Sequence, residues 1–207
     1  MPGRLVVIRH AQSEWNAAGL WQGHADPVLS DEGRREARAA GKRLAELDSF
    51  DGVFCSDLSR AVETAEILTA SMGSIPPPVV EPGLREYDVG EWSGRTRDEI
   101  EIRWPGDIAR FSCGELPAPP GGETRSAFDD RVSEAAARIG RAAESAGFGA
   151  ILVVAHGGVV RALARLASAA EYRVGHLAGY RGRHNAGGLL PEEPIDLLEL
   201  ELASDPS

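Results

Sequence analysis

Apolar positions fall into two patterns that alternate along this chain. Leu5-Val6-Val7-Ile8 and Ile151-Leu152-Val153-Val154-Ala155 are short, unbroken and rich in β-branched residues, as strands buried on both faces of a parallel sheet are. Gly52 to Cys55 reads as a further strand, and Val79-Val80, after Pro76-Pro77-Pro78, as a short one. Between these runs the apolar residues recur at helical spacing. Ala37, Ala40, Leu44 and Leu47 follow Ser30, which can cap a helix, while Asp31 and Glu32 suit its positive end. Leu58, Ala61, Val62, Ala65 and Leu68 form a second stripe. Phe128, Val132, Ala135, Ile139, Ala142 and Ala146 form a third behind Thr124, and Val160, Leu163 and Leu166 a fourth. Leu197 to Leu202, where Leu and Glu alternate, reads as a half-exposed edge strand.

Strands alternating with helices predict a three-layer α/β/α sandwich with a mostly parallel central sheet. A single domain is expected over residues 1–207, with strands near 4–9 and 151–155. A polar loop should run from the first strand to about residue 29. Turn signals dominate residues 103–123, in Trp104-Pro105-Gly106 and Pro117-Ala118-Pro119-Pro120-Gly121-Gly122. They predict a lid-like excursion over the sheet edge.

Composition narrows the picture. A chain of 207 residues, 43% hydrophobic and 26% charged, can bury a core without disulfides or a structural metal. The two cysteines form no pair motif, so neither a zinc site nor a disulfide framework is indicated; Cys55 falls in a strand and Cys113 in a loop-like stretch. No apolar run is long enough to span a membrane, and the N-terminus has no export signal, so a cytoplasmic location is expected. A net charge of −10 argues against nucleic acid or an anionic membrane as partner. Lys42 is the only lysine, so arginine at any one position carries less meaning than usual.

Candidate chemistry lies where strands end. In open parallel sheets, ligands bind beyond the carboxyl ends of the strands. The first run ends in Arg9-His10 and the fourth in His156-Gly157-Gly158, so two imidazoles distant in sequence are expected at one edge. Arg60 falls in the first turn of the helix after the second strand and should reach the same edge. Two guanidiniums and two imidazoles suit a phosphoryl group: arginine forks onto its oxygens, and a neutral imidazole can attack phosphorus. A leaving alkoxide needs an acid. Glu86, after the third strand, is the best-placed carboxyl, with Asp88 and Glu91 as competitors that spacing alone does not exclude.

These residues fall into blocks. Arg9, His10, Ser13 and Asn16 are followed by Gln22-Gly23, by Ser56 through Ala65, by Leu84 through Gly94, and by Ala155-His156-Gly157-Gly158. In that order the blocks resemble the histidine phosphatase superfamily, in its phosphoglycerate mutase-like branch, from about residue 4 to 170. The resemblance implies that His10 is the phosphorylated nucleophile, that Arg9, Arg60 and His156 bind the phosphoryl group, and that Glu86 is the proton donor. It implies that Ser13, Asn16, Gln22, Gly23 and Gly157 line the substrate site, and it implies no metal and no cofactor. The implied reaction is metal-independent hydrolysis of a small phosphorylated metabolite through a phosphohistidine. The alternatives are a cofactor-dependent mutase and, behind it, a non-catalytic module that binds phosphorylated ligands. Mutases of this kind tend to carry Gly-Trp where this chain has Gln22-Gly23, and Gly-Asn where it has Gly157-Gly158, which favours the phosphatase.

Two departures stand out. Ala11 replaces the glycine that usually follows Arg-His, and alanine tolerates positive φ poorly, so an altered loop is expected. Beyond about residue 172 the resemblance is loose. His24, His176 and His184 belong to no motif and are expected to be ordinary surface or core histidines. An edge strand near the C-terminus offers a pairing surface for a homodimer.

Overall fold

The two apolar runs that end in histidine lie side by side. The computed structural model describes residues 2–199 apart from Ser74 and Glu171. β1 (Gly3–Arg9) pairs in parallel with β4 (Ala150–Ala155), in step from Arg4 opposite Ala150 to Arg9 opposite Ala155. β2 (Gly52–Cys55) pairs with β4 on its other side, and β3 (Val79–Val80) extends the sheet beyond β2, both in parallel. β5 (Ala178–Asn185) runs antiparallel to β1, and β6 (Gly188–Asp196) antiparallel to β5, which gives the order β3-β2-β4-β1-β5-β6.

Alternation along the strands builds two cores. Leu5, Val7, Ile151 and Val153 pack on one face with α6 (Arg125–Ser145) and α7 (Gly157–Leu166). Val6, Ile8, Leu152 and Val154 pack on the other with α2 (Asp31–Leu47) and α3 (Ser59–Met72). This is the expected three-layer α/β/α sandwich around a mostly parallel sheet. The caps are those expected: the Ser30 hydroxyl accepts the Gly33 N–H at 3.0 Å and Thr124 accepts that of Ala127 at 3.2 Å. At the helix ends the stripes drift off the core. Leu47 and Leu166 are exposed, and Ala143 is buried where Ala142 and Ala146 are not.

Several elements differ from expectation. The polar loop contains a four-residue helix, α1 (Glu14–Ala17), capped by Ser13. The excursion holds α5 (Asp107–Cys113), preceded by α4 (Arg97–Arg103). Seven-residue helices offer too few turns for a periodic stripe, and Cys113 lies on α5 rather than in a loop. The excursion is fastened down: Glu91 N–H donates to Pro120 O (2.8 Å) and Glu123 N–H to Asp88 O (3.0 Å), while Phe111 packs edge-on against Tyr87 and Trp92. The edge strand lies earlier than expected. Leu197 to Glu199 form a turn, and the rest of the expected strand, residues 200–202, lies outside the described residues. β5 carries Arg181, Arg183 and His184 between glycines, so it has no apolar run to find. β6 carries Pro191 and Pro194, which only an edge strand tolerates.

Candidate active site

The in-step register of β1 and β4 makes the site. With Arg9 opposite Ala155, the next residue of each strand is a histidine, and His10 N–H donates to Ala155 O at 2.9 Å. The two rings meet edge-on, 5.2 Å between centroids with planes at 64°. Both are buried, His10 at 2% exposure and His156 at 0%. His10 Nδ1 lies 2.6 Å from Ala11 O. A carbonyl only accepts, so Nδ1 carries the proton and Nε2 keeps its lone pair. Burial, reinforced by Arg9 and Arg60, pushes the His10 imidazole well below its ordinary range. Burial, then Arg60 and His10, does the same to His156. Both rings are therefore neutral near pH 7.

Ala11 needs no left-handed backbone: it is fully buried, and among the described residues only Ser168 and Leu177 are non-glycine residues with positive φ. Its N–H donates to Thr64 Oγ1 (3.1 Å) and its carbonyl holds the His10 proton.

Arg60 rises from the first turn of α3 and is fully buried. It donates to Ala25 O (2.7 Å) and Gly23 O (2.9 Å), while burial lowers its pKa to about 10. Gly23 has φ +51 against the Val89 backbone. Any side chain there would be strained and would overlap its neighbours. Arg9 donates to Val174 O at 3.3 Å; burial lowers its pKa, and Glu86 opposes the shift.

Glu86 reaches the group from the loop after β3. Both of its carboxylate oxygens lie 3.1 Å from Gly158 N–H at the start of α7, and Oε1 also accepts from Tyr87 N–H (2.8 Å). His156, at the N-cap, makes no side-chain cap bond, so Glu86 caps α7 in its place. A Cβ on Gly158 would overlap Glu86 Oε1, so glycine is what lets the carboxylate rest against this turn. The competing carboxylates are engaged elsewhere: Asp88 accepts from Gly90 N–H (2.9 Å) and Glu91 pairs with Arg103 (3.2 Å).

The remaining expected residues divide. Ser13 is fully buried and bonded within the loop, its hydroxyl oxygen 3.0 Å from Asn16 Oδ1 and 2.9 Å from Gln22 Oε1 with one proton to share between them. It holds these two amides in place, and their nitrogens make no hydrogen bond among the described residues. Gly157 opens α7 beside the Arg9 and Arg161 side chains.

Four residues outside the motif readings also belong to this region. Asp26 takes the Ser59 N–H and hydroxyl, both at 2.7 Å, which fixes the start of α3 beside Arg60. Arg131 donates to the carbonyls of Gly83, Arg85 and Glu86 (3.0, 2.8 and 2.9 Å) and pairs with Glu123. It therefore clamps the loop that carries Glu86. His24 Nε2 donates to Glu86 O at 2.9 Å; its place directly after Gln22-Gly23 was the available signal. The fourth, His176, has its ring centroid 6.4 Å from that of His10. His24 and His176, expected as surface or core histidines, both lie beside the site, whereas His184 is buried against Gly3.

Among the described residues, no cluster of His, Cys, Asp and Glu could hold a metal ion, and no helix is long and apolar enough to cross a membrane.

Comparison with known proteins identifies the family. The chain is 40% identical over 169 residues to a 2,3-bisphosphoglycerate-dependent phosphoglycerate mutase of Methylobacterium sp. (strain 4-46), covering 77% of each. It is 36% identical over 166 residues to a glucosyl-3-phosphoglycerate phosphatase of Mycolicibacterium vanbaalenii, covering 77% of this chain and 72% of the relative. The crystal structure of the alpha-ribazole phosphatase from Shigella flexneri superposes with a TM-score of 0.66 at 33% identity, over 79% of each chain. Residues 5–184 match the family model, and the chain belongs to the histidine phosphatase superfamily (branch 1).

Proposed function

We propose that this protein is a metal-independent phosphatase that hydrolyses small-metabolite phosphomonoesters through a phosphohistidine on His10. One observation carries the proposal: the His10 Nδ1 proton is committed to Ala11 O, which leaves the Nε2 lone pair free beside the guanidiniums of Arg9 and Arg60. Arg9, Arg60 and His156 hold the substrate phosphoryl group and spread its charge. Asn16 and Gln22 offer amide donors at its edge, and Gly23 and Gly157 let backbone approach it.

In the first step His10 Nε2 attacks phosphorus and the ester P–O bond breaks. Glu86, as the acid, gives its proton to the departing alkoxide. The Nδ1–H bond to Ala11 O supports the positive charge on the modified ring. In the second step water attacks phosphorus and the P–N bond breaks, its electron pair returning to Nε2. Glu86 takes the proton from water, so inorganic phosphate leaves and both residues return to their starting states.

A second reading is a mutase, favoured by the name of the 40% identical relative. The same groups would then return the phosphoryl to another hydroxyl. Gln22-Gly23 and Gly157-Gly158, where such mutases tend to carry Gly-Trp and Gly-Asn, support hydrolysis instead. The test is a panel of phosphomonoesters, with and without a divalent-metal chelator, followed by free phosphate and product analysis. Stoichiometric phosphate release that survives the chelator is expected. Isomerised substrate without free phosphate would establish the mutase. Tight binding without turnover would establish a binding module.

A further inference from the structure

The segment between α7 and β5 passes across the end of β1 and is tied to it twice. Arg9 Nη1 donates to Val174 O (3.3 Å), and Leu177 N–H donates to Arg9 O (3.0 Å). Leu177 is fully buried with φ +54, a conformation that leucine rarely adopts and that surrounding structure must enforce. It turns the chain directly after His176 and leaves that ring beside His10, 6.4 Å between centroids with planes 37° apart.

Four of the polar atoms around His10 share one property. Arg60 Nε, both nitrogens of His156 and His176 Nε2 are buried and have no hydrogen-bond partner among the described residues. Buried polar atoms are ordinarily paired, so an unpaired cluster calls for an explanation. The phosphoryl group explains Arg60 and His156 in the reading above. His176 shares their position and their lack of a partner. Burial, then Arg9, lowers its pKa to about 4, so it is a neutral donor at physiological pH.

We propose that His176 contacts the phosphoryl group directly, donating from Nε2 to one of its oxygens while that group is transferred to and from His10. This rests on the phosphatase reading. It adds a third imidazole to the site, from a segment outside the motif blocks.

The test compares His176→Leu, which removes the donor, with His176→Gln, which restores an N–H near the Nε2 position. Two quantities are read: kcat/KM for a good phosphomonoester, and inhibition by orthovanadate, which takes the five-coordinate geometry of phosphoryl transfer. His176→Leu should lose about ten- to a hundredfold in both, the range that a hydrogen bond to a charged group supplies. His176→Gln should recover most of the loss, and thermal stability should not follow the same order. If H176L does not fold, His176→Asn replaces it, because its shorter amide does not reach the Nε2 position. The proposal is overturned if vanadate inhibition is unchanged in the folded variants, or if H176Q is no better than H176L. Should wild-type protein turn over no phosphomonoester, the phosphatase reading fails. Calorimetric binding of inorganic phosphate, weakened in H176L and restored in H176Q or insensitive to both, then decides His176 alone.

Discussion

At the scale of single residues, the site is a set of neutral bases and buried cations whose states follow from burial. His10 and His156 stay neutral because charging either would add a cation to a dry space already holding Arg9 and Arg60. Glu86 is the only proton donor named in the proposed reaction, so its removal should depend on the leaving group. Glu86→Gln should lower kcat/KM, which reports the first step and not the shared hydrolysis of the phosphohistidine, by about 10²–10⁴-fold with an alkyl phosphate, and far less with p-nitrophenyl phosphate, whose phenolate leaves without help. Steady-state rates on the two esters check this, and equal losses on both would remove Glu86 as the acid. The residues alone put Glu86 ahead of Asp88 and Glu91 without excluding either, because a loop has no periodicity to orient its side chains. What separates them is a contact 72 positions away, to Gly158 N–H, and no spacing rule reports that.

At the scale of elements, the site depends on how α7 begins. Its first turn has no side-chain cap of its own and is closed by the Glu86 carboxylate. Helix and catalytic loop are thereby coupled. Gly158→Ala separates the two functions of that contact. Alanine favours a helix by about 1 kcal/mol over glycine, yet its Cβ would displace Glu86 Oε1. The expected result is a melting temperature equal to or above that of the wild type, with kcat at least about tenfold lower. Calorimetry beside a rate assay measures both, and unchanged kcat would show that Glu86 need not stay where it is. The long elements were legible because each announced itself locally, in apolar runs for β1 and β4 and in caps and stripes for α2 and α6. α4, α5, β5 and β6 were not. The two helices are too short for a stripe, and the two strands owe their form to pairing with β1 rather than to apolar runs of their own. His176, which enters the site only through the turn before β5, was hidden for the same reason.

At the scale of the whole molecule, burying several neutral histidines makes stability depend on pH. An unfolded imidazole titrates near 6.5, whereas His10, His156 and His184 are lowered in the fold and His176 is lowered to about 4. Below pH 6.5 the unfolded chain therefore binds more protons than the folded one. Stability should be level above that pH and fall as pH drops towards about 4. Asp57 and Glu81, held below the usual carboxylate range by Arg85 and Arg138, lose their contribution only at lower pH. Urea midpoints at about pH 7.5 and about pH 5 read the histidine window, and equal midpoints would mean that these rings are not held neutral. The central claim is that His10 carries the phosphoryl group between substrate and water. Rapid acid-free quenching of enzyme mixed with a labelled phosphomonoester, followed by peptide mapping, tests it most directly. The account predicts an acid-labile, base-stable label on His10 that appears before free phosphate, decays at the rate of turnover, and is absent from His10→Ala together with activity. Full turnover in His10→Ala, or a label on another residue, would contradict it.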